Sequence, residues 1–332
     1  MKDLEQAQKY LRFKILLKDE NSLLNLEVKE SLKIALGEIF GKNLSLLKNI
    51  FIIKPINFGN HIAGLNNIFY YSEILGIKNI YLNAEFDWYI KKDILTDKIH
   101  ISLLPKKKIN CNSPETFCGR IFPTFFNPKI IKPERRSLYV KDEIKRNLPK
   151  IKTRRNDLYI YIRAYTFQLN GTGYSPAPYC FYQTIISKFK FRDIYVVSAA
   201  DKNSPLIKRL LLDYPKIKFM LKSVQEDIAI LTHAYNLVNA VSSFSQAAIA
   251  FNDNLINLFE YEVYKIEQSI LFFHYDNDKL NRRFNIYRMK PSEEYYIKTY
   301  NWGNTDEEIK LLFEDNCKYG LRKTKYTKTI LE

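Results

Sequence analysis

Apolar positions along this chain follow two alternating rhythms. From Asn49 onward, short apolar runs alternate with stretches whose apolar residues fall three and four apart. The first rhythm marks a buried strand, the second a helix with one covered face. Ile50–Ile53, Asn79–Leu82 and Ile99–Leu104 read as strands, and His61–Leu75 as a helix closed by Gly76. After Asn156 the alternation sharpens. Strands Leu158–Ile162, Asp193–Ser198, Ile217–Leu221 and Leu237–Val241 interleave with helices Phe181–Phe189, Pro205–Tyr214, Gln225–Ala234 and one starting at Gln246. Repeats of this kind with short loops predict a parallel sheet covered by helices. Thr305-Asp306-Glu307-Glu308 is a capping box for a last helix, Glu307–Asp315.

The fold class expected is α/β, in two domains. Residues 1–48, with Leu23, Leu26, Leu32, Leu36, Ile39 and Phe40 at helical spacing, form an expected N-terminal helical cap. Residues 49–150 are read as the first domain and 151–332 as the second. Between them, Pro105, Pro114, Pro123, Pro128, Pro133 and Pro149 break the periodicity and mark a junction.

Charge sharpens this outline. The 332 residues carry 52 Lys+Arg and 36 Asp+Glu, a net +16. Residues 101–200 hold 19 of those cations and 6 of the acids, so the excess is local. A chain that is 46% hydrophobic is not a disordered one. No run is long enough to span a membrane, and the N-terminus lacks a signal-peptide layout. The expected location is therefore the cytoplasm, unless an anchor is missing. Four cysteines are too few for a disulfide scaffold; Cys111 and Cys118 form either one loop-closing disulfide or free thiols.

In an open parallel sheet, ligands bind beyond the carboxyl ends of the strands. Three predicted strands of the second domain end in chemistry: one in Arg163, one in Ala199-Ala200-Asp201, one in Ser242-Ser243-Phe244-Ser245 before a helix. A guanidinium holds two phosphate oxygens at once, and a helix start with hydroxyls and open N–H groups receives an anion. A carboxylate accepts from ribose hydroxyls or from guanine N–H groups. Together they point to a nucleoside-diphosphate site, in a chain with neither a P-loop nor G-x-G-x-x-G. The local charge excess is expected around that site. Singly, each feature also has a structural reading, as a surface ion pair or an N-cap.

At these residues the sequence resembles the GDP-fucose-dependent fucosyltransferases, the protein O-fucosyltransferases and the α-1,2- and α-1,6-enzymes. Tyr159-Ile160-Tyr161-Ile162-Arg163 is similar to their strand ending in His-x-Arg. Val196–Ile207 followed by Tyr214-Pro215 is similar to their second nucleotide-binding segment, and Val241–Ser245 to their Ser-rich diphosphate segment. Gly59-Asn60-His61, with Gly64, Asn66 and Asn67, resembles the Gly-Asn turn heading their first helix. The resemblance implies a GT-B fold, two Rossmann-like domains with parallel sheets facing across a cleft, and inverting fucose transfer from GDP-fucose to a glycan or glycoprotein acceptor, without metal or other cofactor. It implies that Asn60, Arg163, Asp201, Ser242, Ser243 and Phe244 bind the donor nucleotide. Arg163 stabilises the leaving group, and His61 is a base or acceptor contact, or only a polar residue that starts its helix.

Two departures stand out: Tyr161 occupies the position often held by His, and Ala164 follows the Arg where an acid is common. They leave open a degenerate transferase that binds GDP-sugar without turning it over. Asp276-Asn277-Asp278 is the competing metal-type Asp-x-Asp pattern. A non-catalytic polyanion binder is the alternative of a different class, with Phe122, Phe125, Phe126 and Tyr139 among the basic runs. The chain has no nucleic-acid-binding signature, and nucleic acid is the less expected partner.

Overall fold

A computed structural model of the chain describes residues 48–52, 72, 76–83, 90–91, 93–95, 99–103, 108–113, 115–119, 138–163, 176–198, 204–240, 242–262, 284–299, 302–303 and 305–324. The chain divides into two compact units, Met1–Asn147 and Leu148–Glu332. Both have the mixed α/β build with a parallel sheet that the periodicity predicts.

The first unit holds a five-stranded sheet. Its strands are β1 (Asn49–Ile52), β2 (Asn79–Leu82), β3 (Ile94–Leu95), β4 (His100–Leu103) and β5 (Thr116–Gly119), in the order β3-β4-β2-β1-β5. All neighbours are parallel except β3 and β4. Strand β5 lies within the Pro-punctuated stretch read as a junction. Its pairing with β1 is continued by Lys48 and Asn49 N–H groups, both donating to the Glu115 carbonyl. Helix α1 (Leu138–Asn147) lies in the same stretch.

The second unit contains β6 (Leu158–Tyr161), α2 (Tyr179–Lys188), β7 (Ile194–Val197), α3 (Pro205–Asp213), β8 (Ile217–Met220), α4 (Val224–His233), β9 (Asn236–Asn239) and α5 (Ser243–Phe251). It continues through β10 (Asn257–Tyr261), β11 (Asn285–Met289), α6 (Glu293–Thr299), α7 (Asp306–Glu314) and β12 (Arg322–Thr324). The sheet order is β12-β11-β10-β9-β6-β7-β8, parallel but for β12. Taken from β6, the parallel strands follow the dinucleotide-fold order 3-2-1-4-5-6. The chain steps outward from β6 to β8, then returns to place β9 on the other side of β6. That return creates a topological switch point between β6 and β9.

Every residue of β6 is buried, as a central strand covered on both faces must be. One face packs Leu158, Ile160 and Val238 with Phe181 and Ile185 of α2 and Leu206 and Leu210 of α3. Each such large apolar side chain removed from water stabilises by about 1.5–3 kcal/mol. At the amino ends of three strands, side-chain amides form a ladder. Asn285 donates to Asn257 at 2.9 Å, Asn257 to Asn236 at 2.7 Å, and Asn236 to the Asp157 carbonyl at 2.9 Å. The capping box before α7 forms as expected, Thr305 with Glu308, and a second one, Ser223 with Glu226, opens α4.

The carboxyl-terminal elements fold back on α2. Cys180, at the start of α2, is disulfide-bonded to Cys317, with Cα atoms 5.8 Å apart. Tyr295 donates to the Pro176 carbonyl at 3.0 Å, and Lys188 to that of Leu321 at 3.4 Å. Cys111 is also disulfide-bonded, so the free-thiol alternative for it falls. Among the described residues no helix is long and apolar enough to cross a membrane.

Candidate nucleotide-diphosphate site

Strand β6 ends at Tyr161, and the chain continues through buried Ile162, whose N–H donates to the Val197 carbonyl at 3.1 Å, to half-buried Arg163. On the other side of the switch point, β9 is followed by Ser242, the N-cap of α5. Its Oγ accepts from the Phe244 N–H at 3.2 Å. The Ser-rich segment is the cap and first turn of the helix, which starts at Ser243, before the Gln246 that the sequence suggests. Ser243 and Phe244 sit inside that turn, because Ser242 satisfies an N–H that otherwise opens the helix one turn later.

These pieces meet at Tyr161. The Phe244 ring stacks on the Tyr161 ring, centroids 5.4 Å apart and planes 28° off parallel. The Tyr161 hydroxyl lies near the Ser242 side chain and feels the Arg163 charge. Burial pushes its pKa up to about 12, against smaller downward pulls from Ser242 and Arg163, so the phenol is neutral at physiological pH. Below the cap, Ser245 is fully buried and its hydroxyl donates to the Ala240 carbonyl at 3.1 Å. Ser242→Ala is expected to lower stability by about 1 kcal/mol through loss of the cap, read as a fall of a few degrees in melting temperature.

One functional candidate escaped the sequence reading. Asp227, in the first turn of α4, is 3% exposed, and its Oδ1 has no hydrogen-bond partner. Burial, reinforced by neighbouring Glu226 and opposed by Lys222, pushes its pKa up to about 7. Its charge also reaches the Tyr161 hydroxyl. An acid on a helix, read alone, is an ordinary first-turn residue favoured by the dipole; only the packing of α4 against α5 turns it into a buried carboxylate with an unpartnered oxygen. On the sheet, Glu260 of β10 takes two N–H groups of Arg288 at 3.1 and 3.0 Å and one from Asn239 at 3.3 Å.

Among the described residues, Arg163, Ser242 and Phe244 are thus gathered around Tyr161. Ser243 is placed by its backbone. Asn60, His61, Asp201 and the Asp276-Asn277-Asp278 pattern lie outside the described residues.

No protein-family model matches the chain, and no curated protein matches it in sequence. Among solved structures, the fold is similar to that of "E. coli heptosyltransferase WaaC with ADP", at TM-score 0.40 and 11% identity, over 79% of this chain and 98% of that one. What the site can do rests on its own geometry. A guanidinium beside a capped helix start, at the switch point of a parallel sheet, is suited to a diphosphate.

The charge excess needs a correction. It is expected around the nucleotide, but residues 150–155 lie at the other edge of the sheet. Asn236, the first residue of β9, donates to the Arg155 carbonyl at 2.8 Å, and the Arg192 N–H, just before β7, to that of Asn156 at 2.9 Å. Both anchors sit at amino ends of strands, and the site sits at carboxyl ends.

Proposed function

We propose that the chain is a GT-B-type glycosyltransferase whose second unit binds a nucleoside-diphosphate sugar at the β6/β9 switch point. The observation that carries this reading is the convergence there of Arg163, the Ser242 cap and the first turn of α5. Arg163 neutralises charge developing on the departing diphosphate, and the N–H groups of the first turn of α5 share that load. Recognition of the base stays with Asp201, as the motif resemblance implies; Asp227, sealed beneath the site, acts through its charge on the Tyr161 hydroxyl. Together with the motif resemblance, these features support GDP-fucose as donor and inverting, metal-free transfer to a glycan or protein hydroxyl. His61 is the proposed acceptor-side base.

The test is direct titration. GDP and GDP-fucose at about 100 times the dissociation constant are expected to raise the melting temperature by the equivalent of about 2.7 kcal/mol, with UDP and ADP silent. Silence with every nucleotide would falsify the proposal. The neutral, buried Tyr161 favours a second reading, a binder without turnover, because it supplies no base where the resembling enzymes often carry His. GDP release measured with and without acceptor glycans separates the two.

Asp227 adds a pH signature. Its folded value lies above the ordinary carboxylate range, so the folded protein keeps a proton there that the unfolded chain releases above about pH 4. Stability therefore falls as pH rises from about 4 to 7 and levels off above, a contribution on the order of 2–4 kcal/mol. Asp227→Asn is expected to flatten that slope and raise the melting temperature at pH 8. Thermal melts of parent and variant across pH check this; an unchanged slope in the variant refutes it.

A further inference from the structure

The amino edge of the seven-stranded sheet carries a row of cations that the nucleotide site does not use. Residues 148–156 read LPKIKTRRN, four cations and no acid. Lys150, Lys152, Arg154 and Arg155 are exposed, while Ile151 and Thr153 between them are partly covered. The backbone under the row is held in place: the Thr153 hydroxyl donates to the His233 carbonyl, Asn236 to Arg155, and the Asp157 N–H to the Arg154 carbonyl at 3.1 Å.

Elsewhere on this unit several cations are matched to acids. Arg192 pairs with Asp157 and Asp193, Lys218 with Asp193, Arg209 with Asp213, Lys298 with Glu294, and Lys310 with Glu314. Lys150, Lys152, Arg154 and Arg155 form no ion pair with any described residue. Four cations within six residues of irregular chain and turn offer several contacts at once, which suits an array of anions rather than a single one. The row contains no aromatic residue to stack on bases. It belongs to no helix or ribbon that could enter a groove. Flexible cations without stacking platforms fit a surface whose charge is spread over many mobile headgroups.

We propose that Lys150, Lys152, Arg154 and Arg155 dock the second unit on an anionic membrane surface. The contact is peripheral and electrostatic, and it occupies the amino edge of the sheet while the carboxyl edge stays open to donor.

The experiment uses the full chain and vesicles of phosphatidylcholine alone or with roughly 30% phosphatidylglycerol, sedimented at about 0.1 M and 0.5 M salt. Binding is expected only to the anionic vesicles and only at the lower salt. The variant K150Q/K152Q/R154Q/R155Q is expected to bind roughly 100- to 1,000-fold more weakly, from about a five-fold effect per cation. The variant K208Q/K216Q/K318Q/K323Q removes as many charges from exposed positions elsewhere and is expected to lose less than about five-fold. A melting temperature within about 2 °C of the parent shows that each variant is folded. No binding to anionic vesicles, or equal loss in both variants, overturns the proposal. So does oligonucleotide binding that the first variant abolishes while vesicles are ignored. The GDP melting shift is read in parallel and does not depend on the row, so failure here leaves the transferase reading standing, and the reverse.

Discussion

With Arg163 replaced by Ala, GDP no longer raises the melting temperature, and sugar transfer falls by about 10²–10³-fold. The parent shift of about 2.7 kcal/mol at saturating ligand corresponds to roughly 5–10 °C for a unit of this size, so its loss is easily read. The unliganded melting temperature stays near that of the parent, because Arg163 is half-buried beyond the end of β6 and belongs to no apolar cluster. Lys at this position restores charge but not the two-pronged donor geometry, and recovers only part of the affinity. An Arg163→Ala protein that keeps its full GDP shift would show that the diphosphate lies elsewhere. Ser242→Ala is the matched comparison: it removes a hydroxyl and the helix cap but leaves the guanidinium.

Removing the Cys180–Cys317 disulfide lowers stability by several kcal/mol. The bond closes a separation of 137 residues. By chain entropy, a loop of that length loses about 5 kcal/mol of denatured-state freedom, and native disulfides typically contribute 2–5 kcal/mol. A drop on the order of 10 °C in melting temperature is expected. Reduction also opens the disulfide of Cys111, so the double variant Cys180→Ser/Cys317→Ser isolates this bond. Cys317 adds to the effect through its backbone, held at φ +51° with its N–H on the Asp315 carboxylate at 3.2 Å. Left-handed backbone of this kind is kept where surrounding contacts fix it. Equal melting temperatures for parent and double variant would refute the estimate. Disulfides persist in oxidising surroundings, which pulls against the cytoplasmic location expected from the sequence.

The second unit was read well from its sequence, because a strand buried on both faces is a local signal. Leu158–Tyr161, Ile217–Met220 and the helices between them need only neighbouring residues to be recognised. Strands β10 and β11 were missed for the opposite reason. Asn257–Tyr261 and Asn285–Met289 carry Glu260 and Arg288 in their middles, and that pair is acceptable on a sheet only because the two strands are adjacent in register. Strand β5, with Thr116 and Gly119 among prolines, owes its place to pairing with β1. The site followed the same rule. Arg163 and Ser242 could be found because strand ends are legible, but Asp227 could not, since nothing local says that a first-turn acid will be buried with one oxygen unpartnered.

Local patterning already carries the α/β alternation, the position of β6 and its terminal Arg163, the hydroxyl-rich start of α5, and the concentration of positive charge in residues 101–200. Each depends on side-chain type and spacing within a few residues. Only the tertiary structure decided which ends of strands share an edge. Strand order placed Arg163 and Ser242 together at the switch point, packing buried Asp227, and chain reversal joined cysteines 137 residues apart. It also sent Lys150, Lys152, Arg154 and Arg155 to the far side of the sheet from the site they were expected to serve. The physical reason is common to all four: they depend on contacts between residues distant in sequence, whose partners no local pattern names.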